Sequence, residues 1–238
     1  MTATKQLVDV QKFHQSQYDP SYFYKELADG SRMDLTLYVD DAIITDAHSP
    51  HSDLEIQKFA ARFKLKLDDT PAHFLGANVD LLGTHRIALT SRAYVDKLAA
   101  TYLPKALSSY RTMTLPATKE ISAAYERAVD AKADSPAALK GPYASKVGAM
   151  IYAPSCSRLD AAYATNMCAR CLAFPTVEMD EMADRCIVYM AQTRERGIIY
   201  DASAPDASEF WACSDSDWAV NHSTTGFAMC YGGAAIEY

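Results

Sequence analysis

Between Met33 and Asp40 the chain alternates with a period of two. Met33, Leu35, Leu37 and Val39 are apolar, and Asp34, Thr36, Tyr38 and Asp40 are polar or amphipathic. Successive side chains of a strand point to opposite faces, so this pattern predicts a β-strand with one face buried and the other in water. A second apolar run, Ala42-Ile43-Ile44, follows at once, with only Asp40-Asp41 between the two. Aspartate favours turns because its short carboxylate bonds the local backbone. The segment therefore predicts a tight hairpin with Asp40 and Asp41 together at its tip.

Adjacent carboxylates repel and resist joint ionisation. A hard divalent cation relieves that repulsion: Mg²⁺ takes oxygen ligands, keeps several waters and borrows one or two protein carboxylates alongside substrate phosphates. A solvated turn uses the same residues, so the pair by itself leaves both readings open.

The flanking segments read as partners of this hairpin. Asp29-Gly30 marks a turn ahead of the strand, which predicts that Tyr22-Phe23-Tyr24-Lys25 pairs with it. Leu7, Val10 and Phe13 stand at helical spacing. Asp46 to His51 reads as a polar loop. Ser52-Asp53-Leu54-Glu55 has capping-box spacing, which predicts a helix starting there, with Leu54, Ile56, Phe59, Ala60 and Phe63 as its apolar stripe and Asp68-Asp69-Thr70-Pro71 as its stop. Lys58, Arg62, Lys64 and Lys66 cluster beside the hairpin, either as phosphate contacts or as the solvated face of an amphipathic helix.

His73 to Leu81 reads as a strand that turns at Gly83-Thr84 and returns from His85 to Leu89. Gly76 within it marks a plain bulge or the close approach of the backbone to a ligand or another strand. Ser91 is placed to cap a helix carrying Tyr94, Leu98 and Tyr102. Residues 103–142 are rich in Ala, Ser, Thr and Pro with little periodicity, and read as a long, loose connection. Helical spacing returns over 143–152, 159–172 and 177–192, followed by short strands at 198–200, 210–215 and 227–231.

Composition sets limits on these readings. The 238 residues are 49% apolar, enough for a sizeable core in one or two domains. A net charge of -7 argues against strong unspecific attraction to nucleic acid, which comes from Lys and Arg meeting phosphates. The 6 cysteines lack the density of a disulfide scaffold and fit a reducing compartment. Cys168-Ala169-Arg170-Cys171 has the spacing of half a zinc site, but no second pair stands at a suitable distance, so buried thiols are expected. No stretch approaches the roughly 20 apolar residues needed to span a bilayer, and the N-terminus lacks the layout of a secretory signal.

Leu35-Thr36-Leu37-Tyr38-Val39-Asp40-Asp41-Ala42-Ile43-Ile44 resembles the catalytic hairpin of reverse transcriptases, and more narrowly that of copia-type long-terminal-repeat retrotransposons. The resemblance continues in the family's order. It runs from Gln15-Ser16-Gln17-Tyr18-Asp19-Pro20-Ser21-Tyr22-Phe23-Tyr24-Lys25, ahead of the hairpin, to Phe74-Leu75-Gly76 beyond it. It then takes in Tyr143 to Tyr152, Arg158-Leu159-Asp160-Ala161-Ala162-Tyr163-Ala164, Ser214-Asp215-Ser216-Asp217-Trp218-Ala219 and Ser223-Thr224-Thr225-Gly226-Phe227.

The resemblance implies an α+β fold in three parts. Residues 1–90 would be the rear of a reverse transcriptase palm, an antiparallel sheet with a helix, carrying the catalytic hairpin and a primer-grip-like hairpin. Residues 91–205 would be thumb and connection helices, loose near 103–142, and 206–238 the first strands of a ribonuclease H-like domain. The family assigns Asp40, Asp41 and Asp215 to catalysis as ligands of Mg²⁺ or Mn²⁺ in the full-length enzyme, with weak metal binding or none expected of a fragment. Asp215 also reads as an exposed loop acid, with Asp217 beside it supporting or solvated. The equivalents of Phe74, Leu75 and Gly76 hold the primer end. The implied partners are an RNA template, an RNA–DNA hybrid and deoxynucleoside triphosphates, with no membrane. The implied location is intracellular, either cytoplasmic in a virus-like particle or nuclear, and oligomeric state stays open.

The chain also departs from the family. Another palm aspartate is expected on an earlier strand, and Leu7-Val8-Asp9-Val10 lacks the motif around it. Glu237 likewise lacks the surroundings of the nuclease glutamate. The expectation is a fragment of an RNA-directed DNA polymerase with linked ribonuclease H, inactive as an isolated chain. The alternatives are a non-catalytic nucleic-acid-binding remnant or a pseudogene product.

Overall fold

A computed structural model describes residues 2–39, 41–69, 72–216 and 223–237. The fold is mixed α and β with antiparallel sheets, divided into two compact units at 70/71.

The first unit opens with the short helix α1 (Ala3–Lys5), which widens into a π-helical turn over Gln6–Val10. Strands β1 (His14–Gln15), β2 (Tyr22–Glu26), β3 (Arg32–Tyr38) and β4 (Asp41–Thr45) form an antiparallel sheet in chain order. The expected pairing holds, with Phe23 opposite Leu35 and Tyr24 opposite Asp34. Met33 and Leu35 point into a core with Leu7, Phe13, Phe23, Leu27 and Phe59. Val10, expected on the same stripe as Leu7 and Phe13, is exposed instead. The wide turn bonds Gln11 N–H to the Gln6 carbonyl, and helical spacing no longer applies.

Helix α2 spans Pro50–Phe63 and starts one turn earlier than expected. The capping box is Ser49 with Ser52: each side-chain oxygen accepts from the other's backbone N–H, at 3.3 and 2.9 Å. Pro50 sits at the first helical position, where its missing N–H costs nothing. Glu55 therefore lies inside the helix, bonded to Gln11, Lys25 and Lys58. Leu54 is exposed, and Ile56, Phe59 and Phe63 meet the core. The helix ends at Lys64, in the left-handed region at φ 55°, before the expected stop. Thr70 and Pro71 of that stop lie outside the described residues.

The second unit holds a sheet of β5 (His73–Phe74), β6 (Ala77–Leu81), β7 (Arg86–Thr90) and β8 (Gly197–Asp201), each antiparallel to its neighbour. Between β7 and β8 run helices α3 (Arg92–Tyr102), α4 (Ile121–Asp130), α5 (Ala137–Cys156), α6 (Ala162–Ala169) and α7 (Val177–Gln192). A Cβ at Gly197 would collide with the Leu89 carbonyl, so only glycine lets β8 approach β7 here. Strands β9 (Trp211–Ser216), β10 (Thr225–Tyr231) and β11 (Ala234–Glu237) form a third antiparallel sheet. Among the described residues no helix is long and apolar enough to cross a membrane.

The stretch 103–142 is not a loose connection. It holds α4, short 3₁₀ turns at Leu107–Ser109 and Lys132–Asp134, and the start of α5. Ile121, Ala124 and Ala128 are buried at helical spacing, so α4 is amphipathic within a stretch whose Ala, Ser, Thr and Pro content reads as a connection. Ser91 precedes α3 without capping it through its side chain. It is buried, with its Oγ 2.7 Å from Ser157 Oγ, and Asn78 Oδ1 accepts from Ala93 N–H instead.

Arg158 is fully buried, a position tolerated only because every side of the guanidinium is used. It grips Asp160 with two parallel bonds of 2.9 Å and donates to the Met190 carbonyl and Thr193 Oγ1. Burial opposes ionisation of Asp160, but bonds from Arg158 and Tyr189, with the charges of Arg158 and Arg196, outweigh it and hold the carboxyl below its usual range. A carboxyl lowered in the folded state adds stability above its unfolded pKa of about 3.9 and loses it as pH falls further. The Tm gap between the native chain and Asp160→Asn should be widest at neutral pH and close below about pH 4. Melting curves across pH check this, and a gap independent of pH would show that the Asp160 charge is unused.

Candidate functional site

The β3–β4 hairpin pairs Tyr38 with Asp41 and Thr36 with Ile43, and Val39 leaves β3 in a turn. Asp41, expected at the tip, opens β4 instead, and Asp40 lies outside the described residues. Val39 is 85% exposed with φ 54°, left-handed backbone that a β-branched residue rarely adopts. Tyr38 and Asp41 are exposed on the face opposite the core, the same face that carries Thr36 and Asp34.

Asp34 is already engaged. The Tyr22 hydroxyl and Arg32 Nε both donate to its Oδ1, and Arg32 also donates to the Tyr22 oxygen at 2.8 Å. The bond to Asp34, then burial, pushes the Tyr22 phenol above its usual range. Among the described residues no three His, Cys, Asp or Glu side chains converge to hold a metal ion.

Phe74, Leu75 and Gly76 do not lie within one strand. Phe74 pairs with Ala77, and Leu75-Gly76 is the loop of a tight hairpin, with φ of 48° and 81°. Positive φ at both central residues is the pattern of a type I′ turn. The Tyr152 hydroxyl donates to the Leu75 carbonyl at 2.9 Å, and a Cβ at Gly76 would collide with that hydroxyl. Gly76 is thus a turn residue held against a tyrosine side chain, not a bulge within a strand.

Lys58, Arg62, Lys64 and Lys66 are all exposed on α2 and the residues after it. Lys58 pairs with Glu55 at 2.9 Å, and Arg62 lies 5.8 Å from the Phe63 ring centre. Asp215 stands exposed in β9 opposite Gly226, its Oδ1 accepting from Ser216 N–H at 2.9 Å. Asp217 and Trp218 lie outside the described residues. Cys168 and Cys171 are buried thiols; burial pushes the Cys171 thiol up to about 11 and raises Cys168 further. Sequence reasoning missed the Tyr22–Arg32–Asp34 network, the Arg158 fork and the Tyr152 contact. Only a charged residue inside an apolar stretch, as at Arg158, gave any local signal.

Over 225 residues, 92% of this chain, the sequence is 24% identical to a Nicotiana tabacum protein described as a retrovirus-related Pol polyprotein from transposon TNT 1-94. The chain spans 16% of the length of that relative. No family model matches the chain, and no solved structure matches it. The chain is thus similar to one stretch of a retrotransposon polyprotein.

Replacing Val39 by Asn, which tolerates left-handed backbone, should stabilise the hairpin by roughly 1 kcal/mol. Urea unfolding followed at amides of residues 32–45 measures this, and a lower midpoint would show that Val39 is not strained there.

Proposed function

We propose that this chain is part of a copia-type retroelement polyprotein that acts as an RNA-directed DNA polymerase with linked ribonuclease H. In this reading 1–90 is the rear of the palm, 91–205 the thumb and connection, and 206–238 the opening of the nuclease. The observation that carries it is the β3–β4 hairpin: Asp41, an exposed carboxylate, heads a strand directly across from Tyr38, and the sheet behind the turn buries its other face. The similarity over most of the chain to a Pol polyprotein supports the same assignment.

Asp40 and Asp41 would hold Mg²⁺ or Mn²⁺ at the polymerase site, and Asp215 at the nuclease site. When bound, the ion supplies charge that stabilises the attacking and leaving oxygens of a phosphoryl displacement. The chain's residues orient the participants: β3, paired on both edges, keeps the turn in place, and the 74–76 turn meets the primer end of an RNA–DNA hybrid. Asp34, held by Arg32 and Tyr22, is not offered as a further ligand. The isolated chain should give no more primer extension on RNA than its Asp40→Asn form. Mn²⁺ should broaden NMR signals around residues 38–42 in the native chain and not in an Asp40→Asn, Asp41→Asn double variant. Extension that survives Asp40→Asn, or equal broadening in both proteins, would overturn the assignment.

A second reading, a non-catalytic nucleic-acid-binding remnant, draws on the exposure of all four basic residues at 58–66. It predicts hybrid binding that weakens with salt, with a log–log slope of roughly -0.9 per phosphate contacted. A flat salt response would rule it out.

A further inference from the structure

The Leu75-Gly76 turn has a shape that its own residues do not favour. A type I′ turn is met without strain by Asn-Gly or Asp-Gly. Glycine serves here at φ 81°, but leucine at φ 48° carries a cost of about 1–2 kcal/mol. Such backbone persists only where the surroundings over-determine it. Among the described residues the β5–β6 ladder has two pairs, Phe74↔Ala77 and His73↔Asn78, extended by a bond from Val79 N–H to the Ala72 carbonyl, and so short a hairpin does not impose the turn alone.

The constraint comes from two helices. Tyr152, on α5, donates to the Leu75 carbonyl and closes off the space above Gly76. Its ring packs 4.6 Å from the Tyr94 ring of α3, tilted by 52°. Tyr94 in turn donates to the Ala149 carbonyl at 2.7 Å, one turn before Tyr152 on α5. The hydroxyl is thereby aimed, and Leu75 is left 42% exposed at the apex of a fastened turn.

We propose that Tyr152 is a positioning residue: its hydroxyl fixes the left-handed turn in the shape that presents Leu75 to the sugar and base edges at the end of an RNA–DNA hybrid. This rests on the polymerase reading above, in which the 74–76 turn meets nucleic acid.

Tyr152→Phe keeps the ring on Tyr94 and removes the bond donated to the Leu75 carbonyl. With a short fluorescein-labelled RNA–DNA hybrid as probe, anisotropy titration of the full chain should give a Kd weakened on the order of three- to tenfold. Tm should fall by no more than about 4 °C. Leu75→Ala should weaken binding similarly, and Tyr152→Phe added to it should cost little more, because both act through one contact. Unchanged affinity with a lowered Tm in Tyr152→Phe would make the bond merely structural and overturn the proposal. So would effects of Tyr152→Phe and Leu75→Ala that multiply. If the native chain binds hybrid and Leu75→Ala binds equally well, the inference falls while the polymerase reading stands on its Mn²⁺ test. If the native chain binds no hybrid, the inference falls with the premise it rests on.

Discussion

A sheet that buries one face and leaves the other in water constrains everything around the candidate site. Met33 and Leu35 reach the core of the first unit through alternate positions of β3, which turns Asp34, Thr36 and Tyr38 outward. A slip of one residue would bring Asp34 and Tyr38 inward, so burial sets the register as firmly as the backbone bonds do. With the register set, Tyr38 faces Asp41 and β3 gives way to the turn at Val39. The outward carboxylate of Asp34 is absorbed by Arg32 and Tyr22, and Asp41 is left as the exposed acid where the strand begins.

The second unit meets the same requirement with helices. Buried residues of α4, α5, α6 and α7 share one core, in which Tyr143, Val147 and Met150 meet Met179, Ala183, Cys186 and Ile187. Two buried cations of this interior, Lys146 and Arg158, each have carboxylate partners. Lys146 reaches Asp180 and Asp184 at 2.7 and 2.6 Å, and the Arg158 fork ties the turn before α6 to the end of α7. Removing one partner of such a group leaves the other without its water and without its bond.

Both turns that the functional reading relies on hold a non-glycine residue in left-handed backbone, Val39 in the first unit and Leu75 in the second. Left-handed backbone at bulky residues is costly and survives where surrounding structure compels it, which is why it gathers at working sites. At Val39 the paired strands compel it, and at Leu75 a tyrosine from a distant helix does.

Local periodicity made much of this chain legible. The alternation before Asp40, the Asp29-Gly30 turn and the apolar spacing of α7 each express a single element's need to bury one side, and such needs are written in adjacent residues. Ser52-Asp53-Leu54-Glu55 placed the start of α2 one turn late because Ser49 caps it with Ser52 as its partner, and α4 lies in a stretch whose Ala, Ser, Thr and Pro content reads as a connection. The sequence by itself determined that a hairpin with adjacent acids stands on a half-buried sheet. Only the tertiary structure decided that β8 returns to β7, that Arg158 is buried among oxygens, and that Tyr152 fastens the Leu75 turn. Those contacts join residues far apart in the chain, and no local pattern records which distant side chain will satisfy a given backbone group.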